Sequence, residues 1–491
     1  MNDETPLEHE RRAKVERWRS EGREPYPWSY VGRVTSDHVR AACVRLSPGD
    51  ENTEQPLRVA GRLKATRVHG KTAFSDLEDA GGTLQLLLRA DTLGEPEFRS
   101  WLRDLDPGDI VGAEGFPAVT KRGEPSLHVR SLALLAKAIA PPPEKFHGLQ
   151  DVEERLRRRY LDLLASPETR GLFRARSMLI REMRRYLDAA DFLEVETPAL
   201  LPVATGAAAA PFVTHSNYLD SELQLRISLE LPLKRLLVGG FERVYELGRT
   251  FRNEDLDSIH SPEFTELEAY WAYADYHDMR RLTEGFYEHL AARVVELLPE
   301  SPGALKGARD FRPPFATVDY VEELERRSGI SDVLSKTPDE LRELAHAAGS
   351  TVPGDSPAGT FLDKLFEHYV EPHLEQLTFV VDHPASTTPL AKRHRSKPGR
   401  VERFEMYYHG TELGNAYTEL NDPDEQERRF QEQLGAQGAD TYAYDADFVR
   451  ALRHGMPPAT GIGLGVDRIV MALTGAASIK DVILFPLVRP R

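Results

Sequence analysis

The stretch GTELGNAYTELND, residues 410 to 422, places carboxylates and an amide inside a segment that otherwise predicts a half-buried β-strand. Asn415, Tyr417 and Glu419 are two residues apart, so a strand directs all three side chains to one face. Glu412 in this stretch and Glu405 just upstream lie among aromatic and aliphatic residues. Buried carboxylates are costly unless a cation pairs with them, and Mg²⁺ accepts one or two carboxylates together with phosphate oxygens. The segment therefore predicts a cation-binding strand, with a charged strand edge in solvent as the alternative.

A second acidic face is predicted in residues 241–276, which read as a strand, a charged loop and a returning strand. Arg252 precedes the loop, and on the returning strand Glu266, Glu268 and Tyr270 alternate so that they share one face. Charges on antiparallel strands more often face solvent, and this is the alternative for the segment taken alone. Because no metal ion is needed here, the acidic face favours an organic cation as its ligand.

A glycine-rich segment, ATGIGLGVDRIVMALTG at residues 459–475, leads into a predicted apolar helix. Glycines let the backbone approach a ligand, and Arg468 falls at the start of the helix, where the dipole and a guanidinium both favour phosphate. No Gly-Lys-Ser/Thr follows, and Val466 stands where a dinucleotide-binding fingerprint needs its third glycine. The three segments together predict a nucleotide site beside a pocket for an organic cation.

The N-terminal part of the chain has a different pattern from the rest. Residues 57–135 show short alternating segments separated by glycine turns, with a helical insert near EPEFRSWLRDL. This pattern predicts a small five-stranded barrel of OB type or another small antiparallel β domain. A proline-rich joint at 140–143 precedes a long α+β region. We therefore predict four segments: a helical extension (1–56), the OB barrel (57–140), a linker (141–160) and a catalytic domain (161–491).

The bulk composition limits the classes of function. The net charge of −16 argues against a general binder of polyanions, although twelve basic and eleven acidic residues from Arg58 to Lys137 leave the predicted barrel open to local nucleic-acid binding. The single cysteine, Cys43, excludes an internal disulfide and a cysteine-rich metal site. The sequence has no apolar run long enough to span a bilayer and no apolar signal segment, so we expect a cytoplasmic protein without a membrane partner.

Several of these segments resemble one known family. FRNE, HSPEFTELE and GIGLGVDRIV are similar to motifs 2 and 3 of the class II aminoacyl-tRNA synthetases, and DFLEVETPALLP at 191–202 resembles motif 1, which forms the dimer interface in that class. Three longer segments are most similar in sequence to the lysyl-tRNA synthetases: LKRLLVGGFERVYELGRTFRNE, AYWAYADY and DVILFPLVRP. The resemblance runs from about residue 57 to the end of the chain.

The resemblance implies an α+β protein, with an N-terminal OB-fold β-barrel that binds the anticodon. A class II catalytic domain, built on an antiparallel sheet flanked by helices, would follow. The implied activity is that of a homodimer that uses ATP and Mg²⁺ to activate L-lysine as lysyl-adenylate and transfers the lysyl group to the 3′ end of tRNA(Lys). One alternative is a paralogue that activates lysine or an analogue for a non-tRNA acceptor, and the retained barrel counts against it. Another is a catalytically silent RNA-binding regulator, which would have no use for metal ligands.

Carried over by motif, the resemblance assigns roles to residues of this sequence. As the two catalytic residues, Arg252 would contact the α-phosphate of ATP and Arg468 the γ-phosphate. The implied ATP site comprises Arg252, Glu254, His260, Phe264, Glu405 and Arg468. The implied Mg²⁺ ligands are Glu405 and Glu412. The implied lysine site comprises Glu230, Glu268, Tyr270, Asn415, Tyr417 and Glu419, and the anticodon would contact Arg67 and Phe74.

Phe74 could be a stacking platform for a base or part of the barrel core. In KTAFSDLED it alternates in step with Asp76 and Glu78, which predicts an outward position and favours stacking.

A few positions depart from the family pattern. They are Asp191, Thr205, Ala210, Ile259, Ser261 and Ala416. None of them is assigned to ATP, Mg²⁺ or the lysine side chain, although Ala210 and Ile259 remove positive charge near the expected reaction centre. We expect Ala416 to be an ordinary strand residue whose methyl group points away from Asn415 and Tyr417.

Overall fold

The protein consists of two compact units. A computed structural model describes residues 4–143, 151–207, 209–254, 256–437 and 445–489. The first unit comprises Met1–Gln150 and the second Asp151–Arg491. None of the described helices combines the length and the apolar character that crossing a bilayer requires.

The first unit is built on a closed five-stranded barrel, as expected for an OB fold. Its strands are β1 (Leu57–His69), β2 (Thr72–Asp79), β3 (Gly82–Arg89), β4 (Ile110–Val119) and β5 (Pro125–Ala136). Its helices are α1 (Pro6–Ser20), α2 (Ser36–Cys43), α3 (Ala90–Leu93) and α4 (Glu95–Asp104). The strand order around the barrel is β1-β2-β3-β5-β4, with β3 and β5 parallel and the other neighbours antiparallel.

Helices at the N-terminus complete the core of this barrel. Trp18 of α1 packs edge-on against Trp101 of α4, with ring centroids 4.9 Å apart, and both belong to the barrel's hydrophobic core. Val39 and Cys43 of α2 join the same core. Within residues 4–56, helices α1 and α2 therefore supply residues to the barrel core.

The second unit alternates strands and helices around a large sheet. Its strands are β6 (Leu193–Glu194), β7 (Leu200–Leu201), β8 (Val213–Ser216), β9 (Ser221–Leu225), β10 (Arg243–Phe251), β11 (Glu263–Ala272), β12 (Ala316–Asp319), β13 (Thr378–Val381), β14 (Arg403–Tyr408), β15 (Thr411–Thr418) and β16 (Ala459–Gly465). Its first helices are α5 (Val152–Arg157), α6 (Arg159–Ala165), α7 (Pro167–Ala189), α8 (Glu230–Val238), α9 (Tyr276–Leu297), α10 (Pro302–Asp310) and α11 (Tyr320–Ser328). Its later helices are α12 (Pro338–Ala347), α13 (Ala358–Tyr369), α14 (Pro423–Gln437), α15 (Ala446–Leu452), α16 (Val466–Thr474) and α17 (Ile479–Val482).

The large sheet has eight strands in the order β12-β13-β14-β15-β16-β11-β10-β6. Neighbours from β13 to β10 are antiparallel, whereas the edge pairs β12–β13 and β10–β6 are parallel. A smaller sheet has the order β7-β9-β8. The antiparallel centre confirms the fold expected from the resemblance.

Alternation along the central strands separates an apolar face from a polar face. Leu267 of β11, Ala416 of β15 and Ile462 of β16 enter the main hydrophobic core together with residues of α7, α9, α10 and α16. On β16 the opposite face presents Gly461 and Gly463, which pair with polar residues of β11 on one side and β15 on the other. Two rows of polar side chains therefore flank a strip of bare backbone.

The range 141–160, predicted as a linker, is helical from Val152 onward. Arg159 is fully buried, and its guanidinium donates hydrogen bonds to the carbonyl oxygens of Leu484 (3.1 Å) and Lys480 (2.7 Å). Arg159 is therefore packed against the C-terminal part of the second unit.

The core role of Trp101 gives a stability prediction. Trp101→Ala removes an aromatic side chain that is 1% exposed, so the free energy of unfolding should fall by about 3–5 kcal/mol. Trp28→Ala is the matched control, because Trp28 is 94% exposed and its loss should change stability by at most about 0.5 kcal/mol. Urea unfolding of the full chain measures both, and similar losses for the two variants would contradict the proposed core packing.

Candidate active site

Two neighbouring cavities lie on the polar face of the eight-stranded sheet. One has a volume of about 270 Å³ and the other of about 320 Å³. Arg252, Glu266, Asn415 and Gly463 line both cavities, so the two meet at these residues. They form one two-part candidate site within the second unit.

The two cavities differ in the side chains that line them. We call the smaller one the acidic cavity; its polar lining includes Glu230, Glu266, Glu268, Tyr270, Asn415 and Tyr417. We call the larger one the arginine cavity; its lining includes Arg252, Glu254, His260, Phe264, Glu412 and Arg468. Both walls combine acids with arginines. Arg252 and Arg403 also line the acidic cavity, and Glu266 and Asp467 also line the arginine cavity. The cation pocket beside a nucleotide site stays a prediction.

Glu268 is held in the acidic cavity by three donors of the protein. Its Oε1 accepts hydrogen bonds from the Ser228 hydroxyl (3.0 Å) and the Leu229 backbone N–H (2.8 Å), and its Oε2 accepts one from the Tyr270 hydroxyl (2.7 Å). Burial raises the pKa of Glu268 well above its usual range, and neighbouring glutamates act in the same direction. A positively charged ligand would favour the ionised carboxylate, so this wall suits a cation.

Glu230 and Glu419 are paired with a buried lysine of the protein itself. Lys234 Nζ forms ion pairs with Oε1 of Glu230 and Oε2 of Glu419, and the Tyr417 hydroxyl donates to Glu230. Glu230 lines the acidic cavity, whereas Glu419 lies behind its wall, against Gly461. The cavity wall thus includes five of the six residues predicted for lysine, and Glu419 is one layer deeper.

Arg252 lies where the two cavities meet. It directly follows β10; its backbone N–H donates to the carbonyl oxygen of Pro262 (2.9 Å) and its Nε to that of Ile227 (3.3 Å). The guanidinium carbon is 5.1 Å from the centre of the Phe264 ring. A fixed positive charge beside an aromatic face suits an anion attached to a flat ring.

Arg468 occupies the opposite part of the arginine cavity wall, at the third residue of α16. Its Nη1 donates to the carbonyl oxygen of Glu412 (2.9 Å) and its Nε to that of Ile259 (3.4 Å). These contacts connect the start of α16 to β15 and to the loop between β10 and β11. The strand, glycine and helix arrangement is the one predicted from the glycine-rich segment.

Glu254 and His260 line the arginine cavity from the same loop. Oε1 of Glu254 accepts a hydrogen bond from the backbone N–H of Ala210 (3.0 Å). Nδ1 of His260 lies 2.8 Å from Oδ2 of Asp257, whose Oδ1 accepts backbone hydrogen bonds from Ile259 and His260 (2.7 Å each). Residues 257–260 are therefore held by local polar contacts.

Glu405 and Glu412, the predicted Mg²⁺ ligands, lie on the adjacent strands β14 and β15. Glu412 lines the arginine cavity, whereas Glu405 lies outside the lining of both cavities and accepts hydrogen bonds from Arg403 (2.5 Å) and the Tyr407 hydroxyl (2.8 Å). Within the described ranges, no three His, Cys, Asp or Glu side chains are grouped so as to hold a metal ion. Glu412 is thus the one of the two carboxylates that faces a cavity, and Mg²⁺ can bind through one or two carboxylates together with water and phosphate oxygens.

The predicted anticodon residues lie in the barrel, where Arg67 of β1 is opposite Phe74 of β2. The Arg67 guanidinium donates two hydrogen bonds to Asp76 (2.8 and 2.9 Å), and the Phe74 ring is edge-on to His69 at 6.2 Å. Leu77 is buried whereas Phe74 is partly exposed, as the alternation predicts. Arg67 is already paired with an acid of its own barrel.

Lys234, Ser228 and Glu266 take part in the site although the motifs assign them no role. Lys234 follows Glu230 by four residues in LPLKRLL, so helical spacing could have suggested their pairing. Glu266 precedes Glu268 by two residues on the same strand face, and its buried Oε2 has no hydrogen-bond partner in the part of the chain that the structure describes. No sequence signal singles out Ser228.

Three of the departures from the family pattern have a structural counterpart. Asp191 has a φ of 62°, a left-handed conformation that favours glycine and that Asp also tolerates. The Thr205 hydroxyl donates to Asp445 (3.3 Å), which caps α15. Ala416 is buried in the main core, on the face opposite Asn415, as expected. Nothing in the structure explains Ser261.

Comparison with known proteins agrees with this geometry. The family described as tRNA synthetases class II (D, K and N) matches residues 151–489, and an OB-fold nucleic acid binding domain matches residues 57–135. A lysine–tRNA ligase of Roseiflexus castenholzii is 48% identical over 99% of both chains. Those of Moorella thermoacetica and Chloroflexus aurantiacus are 45% and 46% identical, each over 100% of this chain and 99% of the relative. The chain therefore belongs to the class II tRNA synthetase family that includes these lysine–tRNA ligases.

Proposed function

We propose that the protein activates L-lysine with ATP to form lysyl-adenylate and then transfers the lysyl group to the 3′ end of tRNA(Lys). The observation that carries this proposal is the junction at Arg252, where an acidic cavity suited to ammonium groups adjoins a cavity lined by two arginines. The full-length similarity to lysine–tRNA ligases supports it. No observation favours a non-tRNA acceptor or a silent regulator.

The first step requires positioning and charge stabilisation rather than a catalytic base. An oxygen of the lysine carboxylate attacks the α-phosphorus of ATP, and pyrophosphate leaves with the electrons of the broken bond. Arg252 stands at the junction where the carboxylate and the α-phosphate would meet, so its charge would stabilise the developing negative charge. Arg468 would hold the far phosphate, and Phe264 would stack on adenine. Mg²⁺ held by Glu405 and Glu412 would neutralise phosphate charge.

The acidic cavity would supply the amino-acid specificity. A neutral side chain in the place of lysine would leave buried carboxylates without a counter-charge, which is strongly unfavourable. Discrimination based on unpaired buried polar groups can reach about 10⁴–10⁵, so the reaction needs no separate editing site.

The barrel would recognise the anticodon through Arg67 and Phe74, in the cytoplasm. Base stacking on Phe74 would add affinity, while Arg67 would exchange part of its pairing with Asp76 for a contact to the nucleic acid.

We also propose a homodimer in which the segment 191–202 lies at the interface. Leu193 and Leu200 in this segment are exposed apolar side chains. Sedimentation velocity of the full chain should show a dimer that Leu193→Asp weakens, and a monomeric wild type would refute the proposal.

The proposed first step predicts ATP–pyrophosphate exchange that depends on L-lysine and on Mg²⁺. Arg252→Ala and Glu412→Ala should each lower the exchange rate by about 10²–10³-fold, because each removes charge stabilisation at the reacting phosphates. Chelation of Mg²⁺ should stop exchange. Exposed Arg309→Ala and Glu296→Ala are matched controls that should leave the rate unchanged. If leucine stimulates exchange as well as lysine does, the assigned substrate is wrong.

Phe74→Ala should separate the two half-reactions. The lysine-dependent exchange rate should stay near that of the wild type, whereas tRNA charging should weaken by about 1–3 kcal/mol, the value of one lost stack. Phe116→Ala is the matched control, since Phe116 is also a partly exposed barrel aromatic but lies on β4. Equal losses in both half-reactions would identify Phe74 as a folding residue.

Gly461→Ala should selectively weaken lysine binding. An added Cβ would collide with Oε1 of Glu419 and with the Tyr270 ring, so the lysine KM should rise about 10- to 100-fold with a smaller change for ATP. Gly463→Ala is the comparison, because a Cβ there would lie 3.7 Å from Glu266 Oε1 and 3.8 Å from Glu268 Cγ, which is ordinary contact. A lysine KM that rises equally in both variants would contradict this steric account.

A further inference from the structure

Lys234 is a buried lysine side chain that the proposed reaction does not use. It is 0% exposed, and its Nζ lies 5.3 Å from the centre of the Tyr417 ring and 5.9 Å from that of Phe448. Its ion partners are Glu230 on its own helix and Glu419 just after β15. A fully buried lysine is rare unless it is paired, and here both of its partners belong to the predicted lysine site.

The carboxylate oxygens of Glu230 and Glu419 have unequal numbers of protein partners. Oε1 of Glu230 receives both Lys234 and the Tyr417 hydroxyl, and Oε2 of Glu419 receives Lys234. Both oxygens of Glu419 are buried without a hydrogen-bond partner among the described residues, but Oε2 has the Lys234 ammonium as its ion partner and Oε1 has none. Oε1 lies against Gly461, which lines the acidic cavity. An acceptor of this kind is costly to leave unpaired, so Oε1 is suited to accept a hydrogen bond from a ligand.

The surroundings make the charge of Glu419 sensitive to its neighbours. Among the described residues, the titratable groups that interact with it are Glu230 and Lys234 of α8, Tyr270 of β11 and Tyr417 of β15. Glu268 of β11 interacts in turn with both tyrosines. Burial raises the pKa of Glu419 to about 8, while the charge of Lys234 acts to lower it. Burial acts to lower the pKa of Lys234, but Glu230 and Glu419 raise it above its ordinary value, so Lys234 stays charged.

We propose that Lys234 is a positioning residue for substrate selection, whose buried ammonium neutralises one charge of the Glu230–Glu419 pair and leaves Oε1 of Glu419 to receive one ammonium group of the amino acid. Once Glu419 is ionised, the cluster offers one free negative charge rather than two. This inference rests on the proposed function and deepens it, because it names what limits the acidic cavity to a single ammonium at this position.

Lysine binding should therefore depend on pH in a defined direction. Below pH 8 most of the free enzyme carries a proton on Glu419, and the substrate ammonium pairs with the ionised form. The lysine KM should fall as pH rises toward and through about 8. Without the charge of Lys234 the pKa of Glu419 rises further, so the fall in KM should move to higher pH.

The test measures lysine-dependent ATP–pyrophosphate exchange between pH 6 and 9, about two units below and one above the pKa of Glu419. It compares the wild type, Lys234→Met, Lys234→Arg and Lys137→Met. In Lys234→Met the lysine KM should rise roughly 100-fold, with a smaller change in kcat and a pH profile displaced upward. Lys234→Arg keeps the charge, so its pH profile should stay close to that of the wild type.

Lys137→Met is the matched control for the loss of a buried lysine. Lys137 is 5% exposed and pairs with Asp106 and Asp109 in the barrel, outside the site. It should lower the melting temperature without changing the lysine KM or its pH profile.

The outcomes separate the two proposals. A folded Lys234→Met variant with the wild-type KM and pH profile, or a Lys234→Arg variant displaced as far as Lys234→Met, would overturn the role of Lys234. If Lys234→Met does not fold, calorimetry of lysine binding to the wild type at pH 7, in buffers of different ionisation enthalpy, decides the question. Proton release on binding supports the proposal, and its absence overturns it. A wild type without lysine-dependent exchange would instead refute the proposed function.

Discussion

Burial of carboxylates on one face of a sheet is the constraint on which the catalytic unit depends. Glu268 and Glu419 are almost fully buried, and each would be prohibitively costly without compensation. The compensation comes from elsewhere in the fold: a hydroxyl and a backbone N–H just before α8 hold Glu268, and the ammonium of Lys234 within α8 holds Glu419. The position of α8 against the central strands is thus as important to the site as the strands themselves.

The arginine cavity, where the proposed function places ATP, is built differently. The arginine cavity places Arg252 at the end of a strand and Arg468 in the first turn of a helix, and both use side-chain nitrogens to bind main-chain carbonyl oxygens. Main-chain acceptors hold both guanidiniums, and neither forms an ion pair among the described residues, although Glu266 and Glu412 line the same cavity. The acidic cavity and the arginine cavity therefore adjoin each other, and Arg252 and Glu266 line both.

Much of this architecture was predictable from local pattern. Period-two alternation correctly placed Glu268 and Tyr270 on one face, Ala416 on the other and Phe74 on the outside of the barrel, because side-chain direction in a strand is a local property. The barrel and the antiparallel sheet followed from the spacing of strands and turns together with the motifs. Local pattern could not predict how deeply a side chain is buried or which groups pair with it. Glu419 lies behind the cavity wall and Glu405 outside both cavities, because packing between distant segments decides which side chains reach a surface. The contribution of α1 to the barrel core depends on contacts between Trp18 and Trp101, which are far apart in sequence.

At Gly461 the wall of the acidic cavity consists of main chain. Substitutions at this position can therefore change the size of the cavity in one direction only. Glycine is already the smallest residue, so every substitution there shortens the cavity and none can lengthen it. Acceptance of a bulkier amino acid would have to be gained by trimming Tyr270 or Glu419, the groups that meet over Gly461. Trimming either one also weakens the recognition of charge. Size and charge selectivity are therefore linked at a single point of the sheet, and a drift toward larger substrates would carry with it a loss of preference for cationic ones.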